Sequence, residues 1–250
     1  MMAPLQSGHY GHPGRVVVCR SEEDRMKVYD VPVVFFDLDD SLINKDANSL
    51  WIRWRFRRDR WAMVEGVQAL LSLYRAYKKG RVTHTRLSNY YRTRTRGMTL
   101  ADYQSSVERF FNERGQLHIY PQAASLLFAY QRQGTRIVMI TGADEVVAEA
   151  YGRELGIGDV ISNRLDVAET QIKGLQKPLC YGIGKVDMAR RFLSGSGYGL
   201  DQAAFYSDSH ADLPLLEQVG FPVVLNPTQI LADVAQERSW PVLDWRETVS

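Results

Sequence analysis

Val33-Val34-Phe35-Phe36-Asp37-Leu38-Asp39-Asp40-Ser41-Leu42 drives four apolar residues straight into a group of carboxylates and then stops. An unbroken apolar run of β-branched and aromatic residues, fenced in front by Pro32, predicts a strand buried on both faces of a parallel sheet. Asp37 then stands at its C-terminal end, and Asp39 points to the same side if the extended path continues. Ligands of open α/β sheets bind just beyond that edge, so both carboxylates are placed where chemistry is done. An Asx-rich turn closing a strand is the plainer reading, and this stretch alone does not separate the two.

Working outward, the composition changes sharply behind this strand. Arg53, Arg55, Arg57, Arg58 and Arg60 open a run of basic side chains through residues 51–97 that only Asp59 and Glu65 oppose. Trp51, Trp54, Trp61, Tyr74, Tyr77, Tyr90 and Tyr91 fall there at spacings that suit amphipathic helices, and Gly80 reads as a helix stop. The expectation is a small helical domain, residues 46–118, inserted into a core made of residues 31–45 and 119–250. After it, helices and short apolar strands alternate. Helices are expected near 121–133, 144–155, 185–193, 213–219 and 228–238, and strands at 136–140, near 160–161, at 203–207 and at 222–225. Residues 163–180 lack a helical period and read as an irregular or hairpin excursion. Such alternation predicts an α/β fold, a Rossmann-like parallel sheet with right-handed crossovers.

Composition sets the outer limits. A chain of 250 residues with a 45% hydrophobic share is that of an ordinary globular protein. Cys19 and Cys180 form no CxxC or Cys/His spacing, which speaks against a zinc site or disulfide framework and fits a reducing, cytoplasmic setting. No stretch approaches the roughly 20 apolar residues of a membrane-spanning helix. Residues 1–30 are expected to be a loosely ordered extension, with Met26 available as an alternative start.

Three strand ends carry chemically matched groups. Asp37 and Asp39 close the first, Thr141-Gly142 another, and Asp208 with Asp212 a third. Gathering Asp37, Asp39 and Asp208 at one edge is unfavourable unless a cation sits among them, and an oxygen-only donor set suits Mg²⁺. A carboxylate nucleophile beside Mg²⁺ suggests phosphoryl transfer through an aspartyl-phosphate. Thr141 would add a hydroxyl to the phosphate cradle and Lys185 an ammonium. Lys173 and Lys177 compete for that last role, but Lys185 alone opens a helix ahead of the Asp208 strand. His210 reads as a rim residue, because Mg²⁺ prefers oxygen.

In number, order and spacing, Asp37-x-Asp39-x-Ser41, Thr141 after an apolar strand, Lys185, and Asp208-x-x-x-Asp212 resemble the four motifs of the haloacid dehalogenase superfamily of phosphohydrolases. The long gap after the first motif is similar to the phosphoserine-phosphatase-like branch, subfamily IB, whose members carry a helical cap there. The resemblance covers residues 31–245. It implies that Asp37 attacks phosphorus and that Asp39 protonates the leaving alcohol and later activates water. Mg²⁺ would be held by the Asp37 carboxylate, the Asp39 carbonyl and the Asp208 carboxylate. Thr141, supported by Gly142, and Lys185 would hold the phosphoryl group, while Ser41 keeps the hydroxyl of the first motif. Asp212 would orient Lys185 or bind metal-bound water. Two positions depart from the family pattern: Asp40 replaces the usual Gly, Asn or Ser, and Ala211 replaces an Asn.

A small phosphorylated substrate follows, with Asp46 and Asn48 at the cap entrance as candidate contacts. Asp46 stands at the offset where the phosphoserine enzymes hold the substrate amine, favouring an amino-alcohol phosphate. Histidinol phosphate, lipid phosphates and a phosphotransferase reaction remain open alternatives. So does a non-catalytic module binding nucleic acid or an acidic membrane surface through the basic insertion, although four complete motifs oppose it and no nucleic acid is expected.

Overall fold

The protein is described by a computed structural model over residues 16–17, 26–58, 71, 75 and 82–246. In chain order, β1 (Val16–Val17) and β2 (Val28–Tyr29) make an antiparallel pair and β3 (Val33–Phe36) follows. Helices α1 (Ala47–Phe56), α2 (His84–Arg94) and α3 (Leu100–Glu113) and a 3-10 turn (Gly115–His118) are the described part of the insertion. The chain returns through α4 (Pro121–Gln133), β4 (Arg136–Asp144), α5 (Glu145–Leu155) and β5 (Asp159–Asn163). A hairpin of β6 (Leu165–Ala168) and β7 (Gln171–Leu175) precedes α6 (Ile183–Leu193), β8 (Ala203–Ser207) and α7 (Leu213–Leu216). Last come β9 (Phe221–Leu225), α8 (Gln229–Glu237) and β10 (Val242–Leu243).

Six strands form one parallel sheet in the order β10-β9-β8-β3-β4-β5, flanked by helices, which is the expected α/β architecture. The first core strand is central. Phe36 lies opposite Met139 of β4 on one side and Tyr206 of β8 on the other, so these three strands deliver their following residues to one level. From β3 the chain runs out through β4 and β5 and then crosses back to β8 on the other side of β3, which makes this the switch point of the sheet. Val34 and Phe36 face one buried cluster with α4 and α5, and Val33 and Phe35 face another with α6 and α8. Burial on both faces is why no polar residue interrupts β3, and each fully buried phenylalanine contributes roughly 1.5–3 kcal/mol.

Local signals set the helix ends. Pro121 occupies the first turn of α4 and Gly134 ends it in the left-handed conformation at φ 74°. Thr99 and Asp102 form a reciprocal capping box on α3. Three expectations shift. The strand expected to end at Ile140 runs to Asp144, with an irregular register after Ile140, because Asp144 pairs again with Asn163 of β5. Val28 and Tyr29, assigned to the loose extension, are buried, and the Tyr29 amide donates to the Tyr130 hydroxyl at 3.2 Å. Strand β10, too short to read from periodicity, adds an edge beside β9. The helix expected to stop at Gly80 lies outside the described residues apart from Leu71 and Arg75, as does most of the extension. Among the described residues no helix is long and apolar enough to cross a membrane.

Gly184, in the first turn of α6, is a position the packing restricts to glycine. A Cβ there would lie 2.0 Å from the Leu179 carbonyl oxygen, a backbone atom with little room to yield. Gly184→Ala is therefore expected to lower stability by about 1–3 kcal/mol or more. The readout is the denaturant midpoint, and an unchanged midpoint would contradict the close approach.

Candidate active site

The first acidic loop is held by hydrogen bonds from three directions. The Asp37 amide extends the β3–β8 ladder by donating to the Tyr206 carbonyl at 2.9 Å. The first amide of α1, Ala47 N–H, donates to Asp39 Oδ1 at 2.7 Å, satisfying a donor that a helix start leaves open. The Asp208 amide donates to Ser41 Oγ at 3.1 Å, so the first and last acidic segments are tied through the Ser41 hydroxyl. Asp40 between them has φ 52°, the left-handed region where glycine or asparagine sits most easily.

Lys185 is the centre of the site. Its Nζ lies 2.7 Å from Asp37 Oδ1 and 2.7 Å from Asp212 Oδ2, with all three side chains buried. Ser207 Oγ donates to the same Asp212 oxygen at 2.7 Å. Burial alone would lower the lysine, but Asp212 and Asp37 outweigh it and hold the ammonium charged. The carboxylates remain under-neutralised. Burial pushes Asp37 up to about 6 in spite of Lys185. Asp39 is pushed well up by burial and by Asp46 and Asp37, and Asp208 by burial and by Asp37 and Asp40.

Thr141 is fully buried, and its Oγ1 accepts from the Ala143 amide at 3.1 Å, shaping the turn that leaves the regular part of β4. Gly142 follows it, and its carbonyl accepts from Asn163 Nδ2 at 2.7 Å, while Asn163 Oδ1 accepts from the Cys180 amide at 2.8 Å. A single buried amide side chain thus joins the Thr141 turn to the segment leading to Lys185.

The sequence-expected residues fall into two groups. Asp37, Lys185 and Asp212 are in direct contact, Ser41 is bonded to the Asp208 segment, and the charge of Asp37 is felt at Asp39 and Asp208. Asp46 and Asn48 have structural partners: Asp46 caps α1 by accepting from the Ser49 amide at 2.6 Å, and Asn48 Oδ1 accepts from Arg94 Nη1 at 2.8 Å. Lys173 is exposed and donates to Gln171, away from the acids, and Cys180 is a buried thiol that burial pushes up to about 12. Sequence reasoning missed Asn163, Ser207 as the support of Asp212, and Arg94, which lies buried against Asp144 at 2.6 Å. Ser207 had a signal, since it ends a strand directly before Asp208. The donors that the family resemblance implies for a metal are the Asp37 and Asp208 carboxylates and the Asp39 carbonyl; among the described residues no three His, Cys, Asp or Glu side chains are grouped to hold one.

The family model for haloacid dehalogenase-like hydrolases matches residues 34–217. A probable phosphatase of Mycobacterium tuberculosis is 30% identical over 86% of this chain and 76% of its own. The histidinol-phosphatase of Neisseria meningitidis is 27% identical, covering 86% of this chain and 99% of its own. In fold, the chain is similar to a substrate-bound phosphoserine phosphatase at a TM-score of 0.63, with 13% identity over 87% of this chain and 96% of the other.

Removing Lys185 would leave Asp37 and Asp212 buried without their cation. Lys185→Met is expected to lower stability by about 3–5 kcal/mol at pH 7.5 when divalent cations are withheld. Without Lys185 the Asp37 carboxyl is raised further than in wild type, so it takes up its proton at higher pH and the loss should shrink as pH falls toward about 6. Urea melts at pH 7.5 and pH 5 test the sign, and a loss that grows toward acid pH would contradict it.

Proposed function

Because the chain belongs to the haloacid dehalogenase-like hydrolases and is a phosphatase of that family, we propose that it hydrolyses a small phosphomonoester through an aspartyl-phosphate on Asp37 with Mg²⁺ bound. The observation that carries this reading is the buried Asp37–Lys185–Asp212 contact beside two further carboxylates, Asp39 and Asp208, that burial and mutual charge keep up. A nucleophile has to be ionised and an acid protonated at the same pH. Lys185 favours the first at Asp37, and the environment of Asp39 favours the second.

In this mechanism Asp37 attacks phosphorus and Asp39 gives its proton to the departing alkoxide. Asp39, now a carboxylate, takes a proton from the water that splits the acyl phosphate. Lys185 neutralises the phosphoryl oxygens throughout, and Thr141 offers them a hydroxyl. The donor set fits Mg²⁺, since Asp37, Asp208 and the Asp39 carbonyl are all oxygen and the carboxylates outweigh the one buried ammonium. When bound, Mg²⁺ would polarise the phosphate and lower the repulsion between it and the nucleophile.

The substrate we favour is an amino-alcohol phosphate, carrying an ammonium on the carbon next to the ester. Asp46 supports this, because its charge is felt at Asp39 and Asp40, so it stands at the mouth of the acidic loop. The relative named for histidinol phosphate and the fold neighbour named for phosphoserine share that chemistry.

Two outcomes are expected. Asp37→Asn abolishes hydrolysis of every phosphomonoester while leaving the melting curve cooperative, and residual turnover above background would overturn the nucleophile assignment. Without metal, the raised Asp37 carboxyl stabilises the fold below its unfolded value near 4, and that contribution is lost as pH rises through about 6, with the raised Asp208 acting in the same direction. Mg²⁺ should therefore raise Tm more at pH 7.5 than at pH 5, and chelation should stop turnover. Equal shifts at both pH values would count against these ligands.

A further inference from the structure

The densest polar contact outside the acidic loop surrounds Arg94, at the end of α2. Its side chain is 1% exposed and that of its partner Asp144 is 0% exposed. Arg94 Nη2 donates to Asp144 Oδ2 and to the Tyr103 hydroxyl, both at 2.6 Å, and that hydroxyl donates on to Asp144 at 2.8 Å. Arg94 Nη1 donates to Asn48 Oδ1 at 2.8 Å. The guanidinium lies over the Tyr91 ring at 3.9 Å and beside Trp51 at 5.3 Å. One planar cation therefore joins α1, α2 and α3 to Asp144 at the end of β4.

Both ends of this fork lead to reacting groups. Asn48 is the neighbour of Ala47, whose amide holds the Asp39 carboxylate. Asp144 is three residues from Thr141, and its other oxygen caps α5 by accepting from the Val146 and Val147 amides at 3.0 and 3.3 Å. A displacement at either end of Arg94 would be passed to Asp39 or to the Thr141 turn through one peptide unit or one short turn. Lysine cannot reproduce it, because a point ammonium lacks the fixed fork that reaches two acceptors on different helices.

We infer that Arg94 is a positioning residue for the general acid: by bridging Asn48 and Asp144 it fixes the start of α1 and so the orientation of Asp39 toward the leaving oxygen. This rests on the phosphatase reading above and goes further by giving a residue of the inserted helices a share in the proton transfer. Leaving groups separate such a role from a structural one. An alkyl phosphate needs the proton from Asp39, whereas p-nitrophenyl phosphate departs with little help. A variant that is merely less folded loses both rates by the same factor.

The test compares wild type, Arg94→Lys and Asn48→Ala, each shown to be folded by its melting curve, on a panel of alkyl phosphates and p-nitrophenyl phosphate. Arg94→Lys keeps a charge against Asp144, and Asn48→Ala leaves the Arg94–Asp144 pair in place, so one of them provides a folded protein if the other does not. The expected result is a fall in kcat for alkyl phosphates about 10- to 100-fold larger than that for the aryl phosphate. Equal losses for both leaving groups, or a rise in KM at unchanged kcat, would overturn the positioning role. Failure of wild type to hydrolyse any member of the panel would instead overturn the phosphatase reading itself.

Discussion

A single buried ammonium, Lys185 between Asp37 and Asp212, is the constraint around which the site is built. A charge out of water is tolerated only when its partners are fixed close by, and here every partner has its own support. Asp37 is placed by the end of β3, Asp212 is held by Ser207 from the end of β8, and Lys185 rides on the first turn of α6, where Gly184 lets the helix approach the Leu179 carbonyl. The parallel register of β3 and β8 brings Asp37 level with Ser207, whose hydroxyl holds Asp212. The charge balance is incomplete, because Asp39 and Asp208 add to a cluster that one lysine cannot neutralise. Left so, the site would repel a phosphate dianion. A divalent cation, bound as proposed above, would reverse the local field and let such a cluster accept such a substrate.

The inserted helices solve a parallel problem with a second buried pair. Most arginines described in the basic stretch, such as Arg53, Arg57, Arg58, Arg92 and Arg96, are exposed, and a surface charge of this kind contributes little to stability. Arg94 differs in lying under Tyr91 and Trp51, with Asn48 on its Nη1 and Asp144 and Tyr103 on its Nη2, while its buried Nε is left without a partner. The insertion is also fastened to the hairpin, since the Leu100 amide donates to the Thr170 carbonyl at 2.7 Å and Ser88 Oγ accepts from the Leu175 amide at 3.1 Å. Among the described residues its aromatic side chains, such as Trp51 and Tyr103 packed edge-to-face at 5.0 Å, belong to the core.

What could be read beforehand follows from the range of the interactions concerned. Strand β3 was legible because burial on both faces leaves an uninterrupted apolar run, and the helix ends because Pro121, Gly134 and Thr99 act on their immediate neighbours. Asp37 and Asp212 were legible at strand ends and Lys185 as a helix-opening lysine, but only the resemblance to the family's motifs joined them as a set. Arg94 was not, since nothing local distinguishes it from the arginines around it and its partner Asp144 is fifty positions away. Asn163 was hidden similarly, its two bonds reaching back to Gly142 and forward to Cys180. The extension of β4 past Ile140 depends on pairing with β5, which no period within β4 encodes.

The departure at Asp40 shows how the acidic loop obtains its stiffness. A left-handed φ of 52° disfavours a residue with a side chain, yet the loop holds it. The Asp40 carbonyl accepts from Asn226 Nδ2 at 2.8 Å, and Asn226 Oδ1 accepts from the Trp245 amide at 2.7 Å, so the chain after β9 and β10 closes on the loop from outside. Trp245 packs edge-to-face on Tyr120 at 5.6 Å, and the Tyr120 amide returns to the Leu42 carbonyl at 3.0 Å. Ser41, Asp40 and Asp39 are therefore each gripped by a different element, and the orientation of the carboxylates is set before any ligand arrives. Preorganisation of this kind removes reorganisation from the chemical step. The core supplies it at Asp37, Asp40 and Ser41, whereas at Asp39 the grip is the first amide of α1, in the stretch between β3 and β4.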